Sequence, residues 1–197
     1  MDDNKQLIQF LNSSGLMSLS QAAEIAVHFT EKAIGKHDFL LREGRVSNEY
    51  FFLSTGFMRA FAHDPAGNDV TTSFYASGQI VLECSSFFNR TPSLENVQAL
   101  TDCRGWFITY QQLNALFHSR NEFREFGRSI LVKGFASLKG RMLAMITKSA
   151  AQRYESLLKE SPQIVQHAPL KNIASYLGIT DTSLSRIRAG AKEGARS

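Results

Sequence analysis

Apolar positions along the chain change their period more than once, and each change marks a different kind of element. Over Leu7, Ile8 and Leu11, and again over Ile25, Ala26 and Phe29, they recur at helical spacing, which predicts two short amphipathic helices. Ser18 and Gln21 open the second at capping-box spacing, where a serine hydroxyl accepts an otherwise unpaired backbone N–H. From about Phe39 to Tyr110 the texture becomes that of half-buried strands. EYFFLS, FMRAFAH, VTTSFYA and GWFITY are short runs rich in aromatic and β-branched residues, separated by turn signals. Gly44, Gly56, Gly67 and Gly78 stand 12, 11 and 11 residues apart, and glycine supplies the positive φ that tight turns need. Short strands at this spacing predict a sandwich, jelly roll or small barrel.

A long helix follows, from about Arg120 to Ile146. Leu131, Phe135, Leu138, Met142 and Met145 step by 4, 3, 4 and 3, the seam of a dimerisation helix. A helix packed on its own domain shows the same stripe, and two heptads do not separate the two. Gly127, Gly134 and Gly140 each cost ~1 kcal/mol relative to Ala inside a helix, so they mark either a close approach or a bend. Beyond it, Gln152 to Leu158 predicts a helix that Ser161-Pro162 ends, with Pro169 in the first turn of another.

LKNIASYLGITDTSLSRIR, Leu170 to Arg188, carries the most information. Apolar residues fall at Ile173, Leu177, Ile179, Leu184 and Ile187, with small Ala174 where two helices cross and Gly178 at the turn. Thr180 caps the second helix. Together these make a helix-turn-helix. In that geometry Thr182, Ser183 and Arg186 face base edges, and Arg186 can reach guanine O6 and N7 with two hydrogen bonds. Lys171, Asn172, Thr180, Ser185 and Arg188 are placed for phosphates, which fix register without reading sequence. Asp181 suits the positive N-terminus of the second helix.

Charge agrees with this. The chain has 197 residues and a net charge of +4. Residues 147–197 hold eight basic against four acidic side chains, so the basic excess sits in that segment and the preceding body is neutral. A basic module on a neutral body suggests an anionic partner. Apolar residues at 43% and charged residues at 20% are globular values, and no run is long enough to span a bilayer. The N-terminus lacks the pattern of a signal peptide, so a cytoplasmic location is expected. Two cysteines, Cys84 and Cys103, are too few for a disulfide framework or a zinc site, and five histidines form no close-spaced pair.

The order of helices, strand-rich roll, long helix and helix-turn-helix resembles the Crp–Fnr family of bacterial transcription regulators. IASYLGITDTSLSRIR, with FLLREG, EYFFLSTGFMRAF and FYASGQIV, carries the resemblance. It implies an α+β fold: a jelly-roll-like barrel flanked by helices (1–119), a dimerisation helix (120–146), and a winged-helix-like helix-turn-helix (147–197) lacking the last wing. Glu160 to Ala168 is then the place for a shortened first wing. The resemblance also implies a homodimer on a two-fold operator of double-stranded DNA, RNA polymerase as a further partner, no membrane, and a small effector sensed in the roll. Cyclic-nucleotide members carry Gly-Glu-Leu and then Arg-Ser around the phosphate. Gly78, Glu83, Cys84, Ser93 and Leu94 occupy the corresponding pocket here, so the arginine that pairs with phosphate is missing. Arg90 substitutes only if its loop shifts. A desolvated phosphate without a cation is costly, so cyclic AMP is not expected, no cofactor is assigned and the effector stays unknown.

Two rival functions are weighed against the regulator. A metal-dependent jelly-roll enzyme needs clustered His and Glu on neighbouring strands, and no such cluster or nucleophile–base pair is visible. A protein-interaction adaptor is the harder rival, and it predicts that Arg186 can be replaced without effect on DNA affinity.

Overall fold

A computed structural model describes residues 4–194, with side chains described through residue 190. Two short helices lead, α1 (Lys5–Asn12) and α2 (Leu19–Ala26), and Ser18 with Gln21 forms the expected capping box. Eight strands follow: β1 (Thr30–Ile34), β2 (Phe39–Leu41), β3 (Glu49–Thr55), β4 (Phe57–His63), β5 (Asp69–Ala76), β6 (Gln79–Val81), β7 (Asn96–Ala99) and β8 (Cys103–Thr109). A short helix, α3 (Cys84–Asn89), interrupts them after β6. The strands form two antiparallel four-stranded sheets, β1-β8-β3-β6 and β2-β7-β4-β5, rather than a closed barrel. The expected glycines make the turns: Gly44, Gly56, Gly67 and Gly78 all have positive φ.

Each sheet is covered on both faces, and this explains the aromatic density of β3 and β4. Phe51 and Leu53 of β3 point between the sheets with Met58, Ala60, Val81 and Val97. Tyr50 and Phe52 point the other way, into a core shared with α1, α2, α4 (Tyr110–Ser119) and the start of α5 (Asn121–Thr147). Phe10 of α1 stacks on Phe52 at 4.7 Å. A strand buried on both faces reads as a continuous apolar run rather than an alternation. The outer face of the second sheet is covered by the C-terminal unit: α6 (Ala150–Glu160), α7 (Pro162–His167), α8 (Leu170–Tyr176) and α9 (Asp181–Gly194). Phe57 and Leu100 from the roll share a core with Tyr154, Ile164, Ile173 and Leu184.

One expectation is corrected here. The segment from Glu160 to Ala168 holds no wing: Pro162 at the first helical position starts α7 instead. The jelly-roll-like architecture is as expected, in the form of two facing sheets rather than a closed barrel, because β1 and β6 end one sheet and β2 and β5 the other without pairing across. Helix α9 runs through Gly194, and residues 195–197, where part of the last-wing expectation falls, lie outside the described residues.

Helix α5 leaves the body as it proceeds. Phe123, Phe126 and Gly127 are buried, and a Cβ at Gly127 would sit 2.6 Å from the Phe117 ring, so this glycine lets α5 pack against α4 of its own chain. From Leu131 to Gly140 every residue is exposed.

Candidate nucleic-acid interface and effector pocket

The helix-turn-helix is built as its sequence predicts. Ile173, Ala174, Leu177 and Leu184 are buried between α8 and α9, with Ile179 and Ile187 packed at the margin. Gly178 takes φ +67°, the left-handed turn between the helices. Thr180 accepts the Ser183 N–H at 3.2 Å, capping α9. Asp181 follows in its first turn, beside the positive end of the helix dipole.

The base-reading set divides. Thr182 and Arg186 are exposed one turn apart on the outer face of α9, whereas Ser183 is half-buried and its hydroxyl lies 3.0 Å from Thr180 Oγ1. Of the phosphate set, Lys171, Thr180 and Ser185 are exposed and Arg188 is half-buried. Asn172 is placed elsewhere: it is 9% exposed, and its Oδ1 accepts from Arg59 of β4 at 3.0 Å. Arg59 in turn donates to Asp69 at 2.6 Å and lies over the Phe61 ring. Beside it, the Thr71 N–H donates to Ser175 Oγ at 3.1 Å. The face of α8 that periodicity leaves polar is therefore docked on the roll, held by residues more than a hundred positions earlier in the chain.

The long-helix stripe stands free. Leu131, Phe135, Leu138, Met142 and Met145 are each 41–73% exposed, and Val132, Leu143 and Ile146, which the seam omitted, extend the apolar surface. Met145 touches the C-terminal unit closely, its methyl 2.6 Å from where a Gly178 Cβ would be.

The effector residues do not converge on one pocket. Gly78 makes a turn, its N–H donating to Leu53 O. Glu83 caps α3, accepting from the Ser85 and Ser86 N–H groups at 3.1 and 2.6 Å. Cys84 is exposed at the start of that helix, and partial desolvation of the thiol by its surroundings together with the Glu83 charge pushes its pKa up. The Ser93 hydroxyl is tied within its own loop, donating to Glu95 O and accepting from Glu95 N, while the Leu94 side chain is 80% exposed. Arg90 does not shift in to replace the missing arginine. Its guanidinium donates to Ser47 O and Phe87 O, pairs with Asn48 Oδ1, and stacks over Tyr110 at 4.3 Å. Glu95 takes the neighbouring position instead, half-buried, with burial and the Glu83 charge raising its pKa. Cys103 is a buried thiol that donates to Thr101 O, and burial pushes its pKa up too, so neither cysteine is activated. Among the described residues no group of three His, Cys, Asp or Glu could hold a metal, and no helix is long and apolar enough to cross a membrane.

Comparison with known proteins agrees with this architecture. Residues 31–120 match the model of the cyclic nucleotide-binding domain. No curated protein matches the chain. Among solved structures, FixK2 from Bradyrhizobium japonicum is similar with a TM-score of 0.74 at 17% identity, over 85% of this chain and 86% of that one. A Eubacterium rectale protein described as a transcriptional regulator of the Crp/Fnr family gives 0.72 at 15% identity, over 94% and 89%. CLP, the c-di-GMP responsive global regulator of Xanthomonas campestris, gives 0.70 at 14% identity, over 90% and 93%. Residues 31–120 thus resemble the cyclic nucleotide-binding domain, and the chain as a whole has the fold of the Crp/Fnr regulators.

Proposed function

We propose that this protein is a homodimeric, sequence-reading, DNA-binding transcription regulator rather than an enzyme. Residues 1–119 form its roll, 120–146 its pairing helix and 147–197 its DNA-binding unit. The observation that carries the reading is the capped α9, with Thr182 and Arg186 projecting from its exposed N-terminal half. A helix presented in this way enters the major groove by its first turns, and its dimer mate reads a second half-site about one helical turn away. Lys171, Ser185 and Arg188 serve the flanking phosphates. Asn172 joins them only after release from Arg59.

Selection from a random DNA pool is expected to enrich an inverted repeat. On that site Arg186→Ala is expected to lower affinity by roughly 1–3 kcal/mol and relax the choice at one base position, read by titration at fixed salt. Unchanged affinity and unchanged base preference would instead support the adaptor reading.

The roll in this proposal does not take cyclic AMP in the family's manner. Glu83 is engaged as a helix cap, no arginine replaces Ser93 or Leu94, and Glu95 adds a second carboxylate beside the phosphate position. Arg42 and Arg45 line a cavity with Glu83, but neither stands at the family's arginine position, and the Glu83 and Glu95 carboxylates oppose a phosphate there. Calorimetric titration with cyclic AMP is expected to give no saturable heat. Stoichiometric tight binding would overturn this part of the reading and leave the DNA-binding part standing.

A further inference from the structure

A second cleft, separate from the roll's effector residues, opens where the three parts of the molecule meet. It has a volume of about 700 Å³ and lies between β5–β6 of the roll, the second half of α5, and helices α6 and α8. None of Gly78, Glu83, Cys84, Ser93 or Leu94 lines it. Its size falls within the range of small-ligand sites.

The wall carries three cations, Arg141, Lys148 and Arg153, against one carboxylate, Glu160. None of the three forms an ion pair among the described residues. Arg141 donates to the backbone oxygens of Thr72 and Tyr176 and stacks over the Tyr176 ring at 4.1 Å. Arg153 donates to Lys148 O at 2.7 Å and Leu177 O at 2.8 Å, while its buried Nε has no partner. Among the described residues Lys148 Nζ meets the Ser156 hydroxyl, at 3.1 Å. Neutral carbonyls orient a guanidinium without neutralising it, and although the Glu95 carboxylate behind the wall also acts on Arg141, the lining itself keeps a net charge of +2.

We propose that this cleft binds a small organic phosphate bearing at least two negative charges, with the phosphate held by Arg141, Lys148 and Arg153 and its carbon skeleton against the Tyr176 side of the cleft. Guanidinium–phosphate hydrogen bonds are among the strongest available to a protein, and two arginines beside a lysine suit a dianion better than a single charge. The position makes the occupant a regulator. It touches the roll, the pairing helix and the helix-turn-helix together, so a ligand that fits one arrangement of the three biases the equilibrium toward it. Leu138 and Met145 belong both to this wall and to the apolar stripe, which places the ligand beside the seam.

The test uses the full chain and inorganic pyrophosphate as probe, titrated by calorimetry without added divalent metal. Saturable 1:1 binding with a Kd of about 1 mM or tighter is expected. Arg153→Gln and Lys148→Gln are each expected to weaken it roughly tenfold, the loss of one charge-assisted contact. Lys148 is exposed, so its variant reads the site even if the arginine variant folds poorly. ADP is expected to bind at least as well as pyrophosphate and adenosine not at all. Absence of saturable pyrophosphate binding, or binding that both variants leave unchanged, overturns the proposal. Binding lost on Arg186→Gln but kept in Lys148→Gln would place the probe on α9 and equally reject the cleft, without bearing on whether α9 reads DNA.

Discussion

Gly105→Ala is expected to destabilise the protein by about 3 kcal/mol, the upper part of the range for overpacking a core. For a chain of this size that corresponds to a fall in melting temperature of roughly 6–12 °C. Gly105 lies on β8, opposite Lys32 of β1 and Leu53 of β3, at the centre of its sheet. A Cβ there would meet the Phe52 carbonyl oxygen at 2.1 Å and the Phe51 ring at 2.5 Å. Neither neighbour can yield cheaply. Phe51 is fully buried between the sheets, and the carbonyl belongs to the backbone of a central strand. Because β8 leads through α4 into α5, the strain also falls on the segment that positions the long helix. Gly134→Ala makes the matching control. Nothing lies within 4 Å of its Cβ position on an exposed helix, so alanine there is expected to stabilise by ~1 kcal/mol through helix propensity. A scan in which both variants melt with the parent protein would refute the packing described for the roll.

The contrast between those two glycines shows what the sequence makes legible. Turn glycines announce themselves by spacing and composition, and Gly44, Gly56, Gly67 and Gly78 take positive φ as their setting predicts. The helix-turn-helix is legible for a similar reason: its small residue, turn glycine and apolar positions all lie within nineteen residues, Leu170 to Arg188, and reinforce one another. Helices α3 and α7 escape because six residues develop no full period of apolar positions, whereas α4 carries a Thr109–Gln112 capping box and Leu113, Leu116 and Phe117 at helical spacing, a signal hidden behind the strand-rich run that precedes it. The misplacement of Asn172 has a sharper cause. On an isolated α8 it is a polar residue on a polar face, and only the arrival of Arg59, 113 positions away, makes that face an interface. Arg141 and Arg153 are missed for the same reason, since an arginine on a helix surface gives no sign that three bodies meet around it. Glu83 misleads in the opposite sense: the residue type matches the glutamate of the Gly-Glu-Leu pattern, yet the backbone of α3 claims its carboxylate.

Phe135→Asp with Leu138→Asp is expected to convert the protein to a monomer by sedimentation and to weaken its binding to the two-fold site by about 100-fold or more. The two side chains are 73% and 63% exposed in the single chain, in the middle of ten consecutive exposed residues. Folding of the monomer does not depend on them, so the change in its own stability is expected to stay within ~0.5 kcal/mol. In the proposed dimer, what they serve is association. Leu131, Phe135, Leu138, Met142 and Met145 form one stripe with Val132 and Ile146 along its edge, more apolar surface than a solvated helix keeps without cause. A helix that leaves an apolar stripe this exposed is also marginal by itself, and in the proposed dimer pairing with a second copy supplies the missing packing. Two linked recognition helices turn the second half-site contact into an intramolecular event, and the linkage contributes a factor of 10²–10⁴ that a monomer forfeits. Lys133→Glu, on the opposite face of the same helix, separates seam from charge: it is expected to leave the dimer intact. If the double variant stays dimeric and binds its operator as before, the stripe is a solvated surface and the two-fold reading of DNA needs another interface.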